Sequence, residues 1–179
     1  MYSIMKDGFL NITIGDWLKR LARFYPANDA VVNVARGVRL NYRELDEKAR
    51  AVGKGLLGMG VRKGDRVAIW ATNYPEWLYL LFGCAKIGAI LVTVNTNYKQ
   101  FELEYLLRQS DSMSLFFIDG QKDTDYVKIV REMLPGVGEN GGTLGLSFEK
   151  LPYLKNIVYI PYDKNSEIPS GLSCWDDMM

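Results

Sequence analysis

Gly53-Lys54-Gly55-Leu56-Leu57-Gly58 and Gly136-Val137-Gly138-Glu139-Asn140-Gly141 both carry the G-x-G-x-x-G spacing that lets a backbone approach a pyrophosphate. That chemistry needs the glycines at a strand-to-helix turn, where helix N–H groups and the helix dipole meet the phosphate. The first run lies late in a helical pattern and the second follows one, so both read as packing or loop glycines. The strand-to-helix turn itself, Ala71-Thr72-Asn73-Tyr74-Pro75-Glu76, contains no glycine. A nicotinamide oxidoreductase is therefore disfavoured, and no G-x-x-x-x-G-K-[ST] phosphate loop occurs.

Carboxylates, rings and thiols are the other groups able to do chemistry. Asp123 with Asp125, and the pair Asp176-Asp177, are of the type that holds a divalent metal. The first pair suits a helix N-terminus instead, where negative charge is favoured by roughly 0.3–1 kcal/mol, and the second is terminal. No metal is expected. Tyr74, Trp77, Tyr79 and Phe82 can form a stacking platform for a nucleobase, but on a helix leading into a parallel sheet they are more simply core. The absence of His excludes Ser-His-Asp and Cys-His catalysis and the usual transition-metal ligand sets. Cys84 and Cys174 read as free thiols of a reducing compartment. Asn11-Ile12-Thr13 fits a glycosylation acceptor, yet the opening ten residues carry Lys6 and Asp7 and no export signal, so helix capping is preferred and a cytoplasmic location expected.

The elements that must position these groups follow from composition and periodicity. A chain of 179 residues, 48% apolar and 12% aromatic, can bury about 70% of its unfolded surface in one core. Its 22 Lys and Arg against 21 Asp and Glu leave a net charge of +1, which gives no reason to expect a nucleic-acid partner. Residues 77–94 carry one charge and approach the length of a membrane span. Lys86 interrupts that run, Gly88 is placed to end a helix and the later half is β-branched, so it divides into a buried helix and a buried strand with no membrane span.

Thr13 and Asp16 form a cap before Trp17, Leu18, Leu21 and Phe24, an apolar stripe along one helix. Residues 30–34 and 38–42 around Arg36-Gly37 predict a hairpin. Asn41 with Glu44 makes a capping box for a second helix carrying Leu45, Ala49, Val52, Leu56 and Met59, which Gly60 stops. Residues 66–71 predict a buried strand, and Asn73, Pro75 and Glu76 the start of the next helix. Strands follow at 90–94, 114–118 and 156–160, with helices at 101–108 and from a cap at Asp123 or Thr124 through Leu134, which Pro135-Gly136 ends. Five glycines between Pro135 and Gly145 mark a loop. This alternation implies right-handed crossovers and an α/β fold: a layered α-β-α subdomain over 1–160 with a largely parallel sheet, then a poorly defined tail at 161–179 whose Trp175-Asp176-Asp177 opens a helix.

Several segments also resemble, in order and spacing, the front of AMP-forming acyl-CoA synthetases. They are Leu40-Asn41-Tyr42-Arg43-Glu44-Leu45, with Asn where Thr is usual, and Gly60-Val61-Arg62-Lys63-Gly64-Asp65-Arg66-Val67-Ala68-Ile69. Asn73-Tyr74-Pro75-Glu76-Trp77 and Lys86-Ile87-Gly88-Ala89-Ile90-Leu91-Val92-Thr93-Val94-Asn95 follow. Thr124-Asp125-Tyr126, Leu134-Pro135 and Leu151-Pro152-Tyr153-Leu154-Lys155 are similar to the branch acting on medium-chain fatty acids.

The resemblance implies the incomplete N-terminal part of that family's large domain. A carboxylic (fatty) acid, ATP with Mg²⁺, and CoA are the parent enzyme's ligands, none of them expected on these residues alone. The family's Ser/Thr/Gly-rich phosphate loop and its later motifs would lie beyond Met179, so a catalytically inert piece is expected, with a boundary imposed on the chain. Within it, the loop 95–99, with Asn97 and Tyr98, and the turn 120–122 lie by resemblance near the CoA nucleotide, where Lys122 can pair with a phosphate. A homodimer through surface covered in the parent is the expected assembly. A stand-alone interaction or regulatory module of the same fold is the alternative, with an exposed apolar patch as its signature.

Overall fold

Residues 11–139, 142–163 and 165–179 are described by a computed structural model of the protein. Asn140 and Gly141 of the second glycine run, and the opening segment 1–10, lie outside the described residues. The element order is α1 (Ile14–Phe24), β1 (Asp29–Asn33), β2 (Val38–Asn41), α2 (Tyr42–Gly58), β3 (Arg66–Trp70), α3 (Pro75–Ile87), β4 (Ile90–Thr93), α4 (Gln100–Gln109) and β5 (Ser112–Phe117). It continues with β6 (Gly120–Gln121), β7 (Thr124–Asp125), α5 (Tyr126–Met133), β8 (Asn156–Tyr159), β9 (Ser173–Cys174) and α6 (Trp175–Met178).

Local chemistry explains where most of these begin and end. The Thr13 hydroxyl oxygen accepts from the Asp16 N–H at 3.1 Å and starts α1. Asn41 and Glu44 exchange both bonds of a capping box, at 2.8 and 3.0 Å, and start α2. Gly88, at φ +75°, closes α3 in the left-handed conformation that costs a glycine little. Two expected caps are corrected. Tyr74, not Asn73, precedes α3 and offers no side-chain cap; Pro75 at the first helical position, its φ already helical, favours the start instead. Asp125, rather than Asp123 or Thr124, caps α5 by accepting from the Lys128 N–H at 2.8 Å. The residues before it pair instead as the short antiparallel hairpin β6–β7, which sequence periodicity did not indicate.

Five strands make one sheet in the order β4-β3-β5-β8-β9, every neighbouring pair parallel. The path from β3 to β4 steps one way; the paths from β4 to β5 and from β5 to β8 step the other. Right-handed crossovers then put α3 on one face and α4 and α5 on the opposite face. The contacts agree, since α3 packs with α1 and α2 while α4 packs with α5. Strands β3, β5 and β8 are accordingly buried on both faces. Strand β4 is an edge, with Ile90 and Thr93 exposed, which corrects the expectation of a wholly buried strand. Trp70, Phe116, Phe117, Ile157 and Val158 centre the core. Burying a large apolar side chain of this kind stabilises by roughly 1.5–3 kcal/mol.

The run at 77–94 is split between α3 and β4, as its pattern predicts. Among the described residues no helix is long and apolar enough to cross a membrane. Tyr74, Trp77, Tyr79 and Phe82 all lie in or against the core. The first glycine run lies inside α2, where Gly53 faces the backbone of Gly83 on α3.

Candidate functional site

Where strand order reverses, consecutive chain exits leave the sheet on opposite faces and open a crevice at the carboxyl ends of the strands. Here β3 exits toward α3 on one face and β5 toward α5 on the other. Two turns meet at this edge. The loop after β4 is held down by the Val94 N–H, which donates to Ile69 O at 3.0 Å, and by the Trp70 indole N–H, which donates to Asn95 O at 3.1 Å. The Tyr126 hydroxyl donates to Thr96 O at 2.6 Å and the Lys99 ammonium to Thr124 Oγ1. The loop 95–99 is thereby tied to the β6–β7 hairpin. Beneath them the rings of Trp70 and Tyr126 stack 3.6 Å apart and nearly parallel.

Lys122 forms the hairpin's tip at φ +51°. It lines an open crevice of about 850 Å³ together with Asp119, Gln121, Asp123, Asp125, Ser166 and Glu167, among others. Lys122 is the one cation among these described lining residues, facing four carboxylates. Asn97 and Tyr98 sit on the adjoining loop but do not line the crevice. Asn97 is exposed and its N–H donates to the Asn95 side chain at 2.9 Å, whereas Tyr98 packs partly against the core. Of the three residues singled out from sequence, then, one lines the crevice and two occupy its shoulder. The Gln121 side-chain oxygen is buried and has no hydrogen-bond partner among the described residues.

Arg36 at the tip of the β1–β2 hairpin reaches residues far from it in the chain and lines a separate pocket with Glu76, Pro161 and Tyr162. Its guanidinium pairs in a fork with Glu76, the Nη2 to Oε1 distance being 3.3 Å, and donates to Pro161 O at 3.3 Å. It lies 4.5 Å from the Tyr74 ring centre and 5.3 Å from that of Tyr162. Both charged side chains are largely buried. Sequence reading missed this cluster because nothing local marks partners so distant along the chain. Burial, with the Asp119 carboxylate adding to it, pushes the Tyr74 hydroxyl up to about 12. The same two causes, in the same order, raise Tyr159. Both therefore keep their protons well above neutral pH.

The architecture and this edge can be set beside known proteins. The family profile described as AMP-binding enzyme matches residues 18–157. The chain belongs to the AMP-binding enzyme family. Among its relatives in that family, a Bacillus subtilis (strain 168) protein named "Putative acyl-CoA synthetase YngI" is 45% identical over 168 residues, 94% of this chain and 30% of the relative. The mitochondrial medium-chain acyl-CoA ligase ACSF2 of Rattus norvegicus is 33% identical over 151 residues, 84% of this chain and 24% of the relative. This member of the family thus spans less than a third of the length of either. The anthranilate CoA ligase AuaEII, solved with anthranoyl-AMP, superposes with a TM-score of 0.72 at 26% identity, over 93% of this chain and 27% of that one. The N-terminal domain of FACL13 from Mycobacterium tuberculosis shares the fold, with a TM-score of 0.70 at 23% identity over 83% of this chain and 34% of that domain. The layered α/β fold with its parallel sheet is therefore the fold of the front of acyl-CoA ligases, and the resemblance read from residues 40–95 is confirmed as family membership.

Proposed function

We propose that this chain supplies the parallel-sheet portion of an ATP-dependent, AMP-forming acyl-CoA synthetase acting on a fatty acid of medium length. In that reaction the carboxylate attacks the α-phosphate of ATP to give acyl-AMP and pyrophosphate, and the CoA thiol then displaces AMP. ATP, its Mg²⁺ and CoA are ligands of the longer enzyme. The observation that carries this reading is the tie between the 95–99 loop and the β6–β7 hairpin at the point where strand order reverses. It builds a rigid rim on which a nucleotide can rest. The part played by these residues is docking. Lys122 offers a point charge to a CoA phosphate, while Asn97 and Tyr98 contact its nucleoside from the shoulder. Because the other charged groups among the described residues lining the crevice are acidic, Lys122 offsets part of their repulsion of a polyanion.

Adenylation itself needs several preorganised N–H donors and a cation aimed at the developing phosphate charge. The strand-to-helix turn 71–76 contains no glycine to bring its backbone to a phosphate, so we assign these residues no catalytic group and expect no acyl-AMP from them alone. A reducing compartment, the cytoplasm, fits Cys84 and Cys174, which are free and buried. The docking role is tested by titrating the chain with CoA and following amide shifts. Lys122→Glu is expected to weaken binding about tenfold or more and to move the responsive signals off the hairpin. Equal affinity in the variant removes Lys122 from the site.

A further inference from the structure

Helix α1 rests on α2 and α3 through buried Gly15 and Leu18 and turns a different surface outward. Ile14, Trp17 and Phe24 are 61%, 38% and 62% exposed, and Tyr25, just beyond the helix, is 55% exposed. Trp17, Arg20 and Phe24 form one stripe, in which the Arg20 guanidinium lies 5.7 Å from each ring centre. Lys19 and Arg23 are exposed, and the Arg23 guanidinium lies 5.9 Å from the Phe24 ring. Rings alone would not choose a partner; the charge around them does. The first 63 residues, which build α1, the hairpin and α2, hold more than half of the 22 cationic side chains and fewer than a third of the 21 carboxylates. A net charge of +1 therefore hides a cationic front and an anionic remainder.

We propose that α1 docks this protein on an anionic lipid surface, with Trp17 and Phe24 at headgroup depth and Lys19 and Arg23 against lipid phosphates. Aromatic rings with flanking cations are the chemistry that settles at a bilayer interface. With 11 residues the helix is too short to span and lies flat. The carboxylates that line the crevice, Asp119, Asp123, Asp125 and Glu167, are repelled by the same surface, which orients the molecule with its crevice away from the lipid. The inference stands apart from the ligase reading, since neither needs the other.

The test mixes the 179-residue chain with vesicles of phosphatidylglycerol and phosphatidylcholine, or of phosphatidylcholine alone, with binding read by sedimentation and by brominated-lipid quenching of tryptophan. Binding is expected only to the anionic vesicles and is expected to weaken as salt rises. Each cation near such a surface strengthens binding roughly fivefold, about 1 kcal/mol, so a double variant Lys19→Gln with Arg23→Gln should bind roughly 25-fold more weakly. Both side chains are exposed, and its urea midpoint should not move. Phe24→Ser should weaken binding with the salt dependence kept. Binding that is absent, equal on both vesicles or undiminished in the double variant overturns the proposal. Binding to duplex RNA with none to vesicles does so too.

Discussion

Arg36 holds together three stretches of chain far apart in sequence: its own hairpin, Glu76 at the start of α3 and the Pro161 carbonyl after β8. Desolvating both charges is costly, and the fork, the carbonyl and the two ring faces offset that cost only while all are present. Arg36→Met leaves Glu76 a largely buried carboxylate without its cation. The free energy of urea unfolding should fall by on the order of 3 kcal/mol, and Arg36→Lys should recover only part of it, because an ammonium cannot reproduce the fork. A loss below about 0.5 kcal/mol, the range of an ordinary surface change, would show that the cluster contributes little. At this scale sequence was legible only where partners are near. The Asn41–Glu44 and Thr13–Asp16 caps lie three residues apart and were read correctly. Sequence marks Arg36 only as a turn residue, since a carboxylate 40 positions away and a backbone carbonyl 125 positions away leave no local trace.

Helices α2 and α3 approach closely because glycines face each other's neighbours. A Cβ added at Gly83 would lie 2.6 Å from Val52 Cγ1 and 3.0 Å from its Cβ, near the stiff base of a β-branched side chain. Gly83→Ala gains roughly 1 kcal/mol of helix propensity, but overpacking costs about 1–3 kcal/mol. Net destabilisation of about 1 kcal/mol is expected by denaturant titration, and a variant more stable than the parent would show that the interface yields. Element types were legible from period and punctuation: Gly88 ends α3, and the run at 77–94 divides as its pattern requires. Strand order was not. That β4 is an edge, and that residues 120–125 fold as a hairpin before Asp125 caps α5, depends on which strands become neighbours. No local pattern records that choice.

Viewed as a whole, the molecule buries groups that must stay protonated. Burial pushes the Cys84 thiol from 9.0 up to about 12. Tyr74 and Tyr79 rise from 10.0 to about 12 through burial first and then the carboxylates Asp119 and Glu76, and burial alone takes Tyr126 to about 12. The unfolded chain surrenders these protons first, so their contribution to stability is intact below about pH 9 and is lost as pH rises from there toward 12. Urea midpoints should hold steady near neutrality and drop progressively above pH 9; a midpoint that climbs through that window would contradict the burial assignments. The Cys84 thiol should likewise stay unreactive toward a disulfide reagent until the protein unfolds.

At the scale of the whole molecule, we propose that this family member presents a docking edge and that the groups performing adenylation lie outside these 179 residues. Family and layered fold were legible because motif order and strand–helix alternation extend over most of the chain. The candidate site was legible only as a pair of loops, since a crevice whose described lining holds four carboxylates and one lysine is made by residues 119–125 meeting residues 166–167. Acyl-AMP formation by the 179 residues, given ATP, Mg²⁺ and octanoate and followed by ATP–pyrophosphate exchange, tests the claim most directly. No exchange above the protein-free rate is expected; appreciable turnover would place the catalytic groups within this chain and contradict the account.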